Sequence, residues 1–418
     1  MYNLVYANES GEFYDSDFQA VGRTGNRFVE IMEEELTPLP DNAGLVLVPG
    51  GHPIAINNDG QFALIREDPY QPGQAYAVGA TLPQGYTRTL LPAYQRKDDD
   101  QLLPLLGYAA VVSKGDQLYV AAVQTDELHK WEPQHYSSAD LPQLIDNRIN
   151  KHPENRILKH LSGCSLDYHC FTAQNIFYTR WEGGLPVSPA CNANCLGCIS
   201  KQPAECCPSP QNRLDFHPTV QELVEVGAYH LENAPEGIIS FGQGCEGEPS
   251  LEAEKIVPAV KAIRDVTLKG TININSNAGY TEGVKKIAEA GLNSIRVSII
   301  SANPQVYNAY YQPKGYTLNN VKESIKVCKS KGVYVSLNLL TFPGLTDRES
   351  ETEELIKLIR QTGVDMVQIR NLNIDPDYLL SKLPQNPEEE LLGIPTFIKT
   401  LSNELPKVKI GNYSKTII

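Results

Sequence analysis

Three cysteines at C-x3-C-x2-C spacing, Cys191, Cys195 and Cys198, are the residues of this chain best suited to chemistry. Thiolates set this close along a loop can each reach a different corner of a compact iron–sulfur cube. Three thiolates leave one iron of such a cube open, which suits catalysis better than electron storage. The alternative is a structural zinc, with Cys206 or another cysteine as fourth ligand. Zinc gives no account of a second feature, the turn Gly242-Gln243-Gly244-Cys245-Glu246-Gly247-Glu248-Pro249. Its glycines allow close backbone approach to a ligand, and its carboxylates can accept from an ammonium group.

These residues require elements to position them. From about residue 180 onward, apolar strands alternate with helices. The strands read as 184–189, 237–241, 271–275, 294–299, 333–339 and 365–370. Thr219 and Glu222 form a capping box at the start of one helix. Further helices read over 252–266, 281–290, 318–330 and 347–361, several of them followed by glycine. Six strands in such alternation predict an α/β fold with a parallel sheet, an open TIM-like (β/α)6 barrel, with function at the carboxyl ends of its strands. The cysteine loop follows the first strand and the glycine-rich turn follows the second. Asn275 and Asn277 end the third strand, Arg296 and Ser298 lie on the fourth, and Asn338 lies on the fifth. Polar chemistry therefore gathers at one rim.

This arrangement resembles the radical SAM superfamily over roughly residues 184–371. The resemblance implies that Cys191, Cys195 and Cys198 ligate a [4Fe–4S] cluster whose open iron is chelated by S-adenosylmethionine (SAM). Reductive cleavage of SAM would then give methionine and a 5′-deoxyadenosyl radical that abstracts hydrogen from a substrate. It further implies that Gly244, Glu246, Gly247 and Glu248 form the turn for the SAM methionine, with Glu248 as the ammonium acceptor. The family pattern has glycine where Glu246 stands. Asn275, Asn277, Arg296, Ser298 and Asn338 are expected to contact the same cofactor. Cys245, inside the turn, is a candidate catalytic hydrogen donor. Cys164, Cys170, Cys206 and Cys207 crowd the main loop and could hold a second iron–sulfur cluster, or be packed thiols. A low-potential donor such as ferredoxin or flavodoxin is implied. The substrate is open: a protein or peptide is mildly preferred, a small molecule close behind. A methyl-transferring radical enzyme, and a non-catalytic iron–sulfur or zinc scaffold or redox sensor, are the alternatives.

Composition bounds the rest. The 418 residues predict three parts: an acidic, mixed but strand-leaning N-terminal domain over 1–175, the barrel over 176–383, and a C-terminal tail over 384–418 packing on the barrel. In the first part, 44–56 reads as strand, turn, strand, and 108–123 as a hairpin. Residues 96–100 read as a solvated loop and 141–157 as one helix. Residues 1–160 carry 12 Lys and Arg against 22 Asp and Glu, which argues against nucleic acid as the partner of this region. No apolar run is long enough to span a membrane, no secretory signal is visible, and a cytoplasmic protein is expected. Seven of nine cysteines fall between residues 164 and 207, a crowding that reads as metal or catalytic rather than as a disulfide framework. The histidines His52, His129, His135, His152 and His160 show no ligand spacing.

Overall fold

The structure, a computed structural model, describes residues 2–96, 106–127, 129–201, 211–384, 386 and 389–417. Two compact units divide the chain: Met1–Leu128 with Leu340–Glu354 and Ile369–Pro406, and His129–Leu339 with Leu355–Gln368 and Lys407–Ile418.

The second unit contains a parallel sheet whose strands are β1 (Glu182–Gly184), β2 (Ile238–Phe241), β3 (Thr271–Ser276), β4 (Ser294–Ile299), β5 (Tyr334–Thr341), β6 (Met366–Asn371) and β7 (Lys409–Gly411), neighbours in that order. Five of the six expected strands are present where read; the first lies earlier, at Glu182–Gly184, sharing only Gly184 with the expected 184–189, and β7 is a seventh from the region read as a tail. Helices alternate with them: α1 (Leu141–Lys151), α2 (Arg156–Leu166), α3 (Phe171–Tyr178), α4 (Val220–Asn233), α5 (Ala253–Val266), α6 (Thr281–Glu289), α7 (Pro304–Tyr311), α8 (Leu318–Ser330) and α9 (Glu349–Thr362). The Thr219–Glu222 capping box forms as expected: the Thr219 hydroxyl accepts from the Glu222 amide, and the Glu222 carboxylate accepts from the Thr219 amide.

Register decides which side chains look inward. Ser240 faces Asn273, Asn275 faces Arg296, Arg296 faces Ser336, and Ser298 faces Asn338. Strand side chains alternate between faces, so one face carries Ser240, Asn273, Asn275, Ser294, Arg296, Ser298, Ser336 and Asn338. The other carries Ile239, Phe241, Ile272, Ile274, Ile295, Val297, Ile299, Val335, Leu337 and Leu339, all buried. The apolar face is the one a helical layer requires. The inner face is polar along its length, unlike the branched aliphatic layers that usually fill small barrels.

The 141–157 stretch forms two helices rather than one. Pro153 cannot continue α1, and Asn155 caps α2 by accepting from the Leu158 amide at 3.1 Å. Both helices belong to this second unit, not to an N-terminal domain ending at 175. Their polar groups explain the attachment. Arg148 donates to the Glu225 carbonyl at 2.9 Å, and Asn155 donates to the Glu222 carbonyl and the Glu225 carboxylate. Arg156 grips the Glu222 carboxylate through two nitrogens at 2.8 and 2.7 Å.

The first unit is built on a thirteen-stranded sheet, antiparallel in every paired register. The 108–123 hairpin is present as Ala109–Lys114 paired with Gln117–Gln124, turning at Gly115 with φ +59°. The strands Gly44–Leu47 and His52–Ile56 also form, yet they do not pair with each other: the first joins Tyr76–Thr81, the second joins Phe62–Leu64 and Tyr94–Gln95. Val5, Ala7, Val78, Ala80, Ala109, Val111, Val120 and Ala122 make one of its core clusters. Late segments complete this unit. Arg88, 1% exposed, donates to the Leu372 carbonyl at 2.7 Å, and Arg96 pairs with Asp375 at 2.5 Å. The turn at Gly25, where its amide meets the Pro343 carbonyl, lies so close to Gly344 that a Cβ there would fall 2.1 Å from the Gly25 nitrogen. Residues 384–406, read as part of a tail, therefore belong to this unit. Residues 97–100 of the acidic loop lie outside the described residues. Among the described residues no helix is long and apolar enough to cross a membrane.

Candidate functional site

The loop after β1 and the turn after β2 are zipped together by backbone hydrogen bonds. The Gly247 amide donates to the Ser188 carbonyl at 2.7 Å, and the Glu248 amide to the Ala190 carbonyl at 2.8 Å. A Cβ at Gly247 would fall 2.0 Å from the Ala190 oxygen, so glycine is obligatory there. Glu246 completes the join. Its carboxylate is 4% exposed and accepts from the amides of Val187, Ser188, Gly242 and Gln243. Burial pushes this carboxyl up to about 7 against the pull of those four donors. Glu246, expected to face a ligand, is thus spent on the backbone of two loops.

Glu248 is buried as well. It accepts from the Ser276 hydroxyl at 2.5 Å, the Ser250 amide at 3.0 Å and the Asn277 amide at 2.8 Å. Burial raises its carboxyl too. Asn277 donates in turn to the Asn192 side-chain oxygen at 2.7 Å, so the end of β3 is tied to the cysteine loop. On its other side that loop is fixed by the end of α7: the Asn194 amide donates to the Tyr311 carbonyl, the Leu196 amide to the Tyr310 carbonyl, and the Lys314 amide to the Asn192 carbonyl. Gly244 packs against Gln211 and Ile199.

Cys191, Cys195 and Cys198 are all partly exposed on this pinned loop. Burial pushes the Cys191 and Cys195 thiols up, with Glu248 adding to the effect at Cys191 and the neighbouring cysteines at Cys195. A metal bound there must displace those protons. Arg213, which the sequence reading did not single out, sets a guanidinium nitrogen 3.4 Å from the Cys198 sulfur and donates to Ser200 at 3.1 Å. It offers fixed positive charge to a thiolate.

The strand-end residues expected near a cofactor fall on the polar inner face. Asn275 accepts from Asn273 at 2.9 Å, while its own amide nitrogen is buried without a partner. Arg296 donates to Gln368 and Ser414, both at 3.3 Å, and its Nε is unpartnered. The Asn338 carbonyl oxygen is also buried and unpartnered. Ser298 sits beside Asn338 on the same face. Deeper in, Glu182 accepts from Ser240 and Gln243, Asn273 accepts from Ser294, and Gln368 donates to Ser336. Most buried polar atoms find partners, so orphans on this polar inner face fit a polar ligand. A soft thiolate set beside them fits an iron–sulfur group.

The remaining cysteines regroup. Cys245 is 3% exposed, and its thiol lies against Cys164 and His160, the ligand atoms of all three within 4.8 Å of one another. The hydrogen bond from Cys245, then His160, pulls the Cys164 thiol down, while the same contact pushes Cys245 up. Cys170 is turned toward the Thr172 hydroxyl at 3.3 Å. Cys206 and Cys207 lie outside the described residues. Of the four cysteines read as a second cluster, only Cys164 and Cys170 lie among the described residues. The grouping the described residues do form has a signal in the sequence, His160 and Cys164 four residues apart on a helix, with Cys245 far along the chain.

Residues 185–359 match the family model of the radical SAM superfamily. GTP 3′,8-cyclase of Nautilia profundicola is 27% identical over 179 residues, which are 43% of this chain and 52% of that protein. GTP 3′,8-cyclase of Limosilactobacillus fermentum is 24% identical over 201 residues, 46% of this chain and 53% of that protein. The chain thus spans about half the length of these curated relatives. Among solved structures, methylornithine synthase overlaps 64% of this chain and 78% of its own, at 15% identity and a TM-score of 0.38. The matched stretch, about two fifths of the chain, holds the cysteine loop, the carboxylate-bearing turn and most of the strands and helices that carry them, and a radical SAM match of this kind implies a [4Fe–4S] cluster and SAM.

Proposed function

We propose that the chain is an enzyme that cleaves SAM reductively at a [4Fe–4S] cluster on Cys191, Cys195 and Cys198 and abstracts hydrogen from a polar substrate. The chemistry supplied by the cluster and SAM when bound is one-electron cleavage to methionine and a 5′-deoxyadenosyl radical. The chain's own residues do the rest. Cys191, Cys195 and Cys198 give up protons to become ligands, and Arg213 balances charge at Cys198. Glu246 and Gly247 hold the turn against the cysteine loop, and Glu248 fixes the end of β3 to both. Asn275, Asn338 and Arg296 present unpaired polar atoms toward whatever occupies the strand ends.

The observation that carries the reading is the polar inner face, with orphaned polar atoms along it, in the sheet whose first two strand ends bear the cysteine loop and its turn. An inner wall of Ser, Asn, Gln and Arg groups favours a substrate rich in hydrogen-bonding groups, whether a small molecule or a peptide side chain. A low-potential protein donor such as ferredoxin or flavodoxin would supply the electron.

Anaerobic protein reconstituted with iron and sulfide, reduced and mixed with SAM, is expected to yield 5′-deoxyadenosine by mass spectrometry. Cys195→Ala is expected to yield none above background. A native protein that takes up no iron, or that yields no deoxyadenosine once loaded and reduced, would overturn the proposal.

A further inference from the structure

We infer that His160, Cys164 and Cys245 form a second metal site, separate from the cysteine loop, that binds a single zinc ion.

The site is assembled from distant parts of the sequence. His160 and Cys164 lie four residues apart on α2, and side chains at that spacing share one helix face. Their ligand atoms are 3.7 Å apart, His160 Nε2 to Cys164 Sγ. Cys245 arrives from the turn after β2. Its position is fixed on both sides: its carbonyl accepts from the Leu214 amide at 2.8 Å, and the adjoining Glu246 clamps the amides of Gly242 and Gln243. All three ligand atoms lie within 4.8 Å of one another.

Spacing selects the kind of group. Zinc binds thiolate at about 2.3 Å and imidazole at about 2.0–2.1 Å in a tetrahedron, which places neighbouring ligand atoms about 3.6–3.8 Å apart. The His160–Cys164 separation matches. An iron–sulfur cube needs each sulfur on a different iron and so spreads its cysteines further, as the looser loop of Cys191, Cys195 and Cys198 can. A sulfur-rich pair with one imidazole suits zinc over magnesium or calcium, which prefer oxygen.

Charge agrees. Cys164 is 1% exposed and Cys245 is 3% exposed, so a bare dication would be costly there. Binding releases two thiol protons and leaves two thiolates that neutralise the ion, with a neutral imidazole as third ligand. The fourth position is left to water on the side of half-buried His160. The ion would act as a staple between α2 and the turn that carries Glu246 and Glu248. The inference does not depend on radical chemistry.

The test uses the full chain with Cys191, Cys195 and Cys198 all replaced by alanine, so that no metal on that loop contributes. Zinc content by mass spectrometry after dialysis is expected to be one ion per chain. Cobalt(II) is expected to give a thiolate charge-transfer band and the intense visible bands of tetrahedral coordination. Adding Cys164→Ser or Cys245→Ser should abolish both signals. His160→Ala, at the accessible rim, should weaken zinc at least about tenfold with the far-ultraviolet circular dichroism unchanged. If either serine variant fails to fold, the His160→Ala affinity decides alone. Absence of zinc and cobalt binding in the triple-alanine protein would overturn the inference. So would undiminished zinc in folded Cys164→Ser or His160→Ala, or a disulfide between Cys164 and Cys245 in protein prepared under reducing conditions. Each of these leaves deoxyadenosine formation by the native protein untouched, so the two proposals fail separately.

Discussion

In the antiparallel sheet, Ala109 and Val111 alternate toward a core shared with Val120 and Ala122. In the parallel sheet, Asn273 and Asn275 occupy the equivalent inward positions of β3, while Ile272 and Ile274 face the other way. Both strands are buried, so burial alone does not distinguish them. The difference is what their inner faces hold. One spends its inner face on apolar packing, the main favourable term in folding. The other fills it with amides, hydroxyls and a guanidinium, several left with an unmade hydrogen bond that costs stability. A chain carries that cost where something must bind.

Four substitutions press on this contrast, from the largest expected effect to the smallest. Gly247→Ala drives a methyl group into the Ala190 carbonyl. Parting the cysteine loop from its turn is expected to lower deoxyadenosine formation about 100-fold, since displacements near 1 Å have that effect. Val120→Asn places an unpaired amide in the apolar core of the other unit. It should cost about 2–3 kcal/mol in a denaturant titration while leaving SAM cleavage intact. Asn275→Leu reverses the comparison. It removes an orphaned amide nitrogen but also the acceptor of the Asn273 amide, so stability should fall by no more than about 1 kcal/mol while SAM cleavage falls about tenfold, one lost hydrogen bond. A destabilised Asn275→Leu protein with full activity would mean that the polar face is merely structural.

The smallest effect depends on pH. The Arg156 guanidinium holds the Glu222 carboxyl down at about 2, well below its ordinary value near 4.5. Below 4.5 the unfolded chain takes up a proton that the folded chain refuses, so this pair stabilises above that pH and loses its effect as pH falls toward 2. Glu222→Gln should therefore cost about 1 kcal/mol at pH 7, because Arg156 is half exposed, and almost nothing near pH 2. His230 acts in the same direction at higher pH. Burial holds its ring down at about 4, so stability declines from pH 6.5 toward 4 with or without Glu222. Unfolding midpoints of the two proteins across pH 2–7 separate the contributions.

How much of this was legible follows from how local each signal is. The cysteine spacing, the Gly247-Glu248-Pro249 turn and the Thr219–Glu222 box are written in consecutive residues, and each is found where expected. Five of the barrel strands were legible as apolar runs, while the first, Glu182–Gly184, carries no apolar side chain and was placed too late. Their finer alternation, Asn273 and Asn275 against Ile272 and Ile274, is equally local but reads as ordinary strand until register shows that the polar positions align across strands. The role of Glu246 was not legible, because the four amides it holds, at Val187, Ser188, Gly242 and Gln243, come from two loops far apart in sequence. His160 looked ordinary for the same reason: its second partner is 85 positions downstream. The unit boundaries were missed because pairing such as Arg88 with Leu372 has no local trace.

That last pairing constrains the order in which the chain can mature. Arg88, Arg96 and Gly25 find their partners at Leu372, Asp375 and Pro343, between 279 and 318 positions later. Contacts this far apart close slowly, because the intervening chain must first be made and then brought round. The residues that Arg88, Arg96 and Gly25 belong to, although they leave the ribosome before their partners, reach their final packing only after residue 375 has emerged. Until then the buried Arg88 has no Leu372 carbonyl to donate to, and a nascent chain stalled before that point is the form most in need of a chaperone.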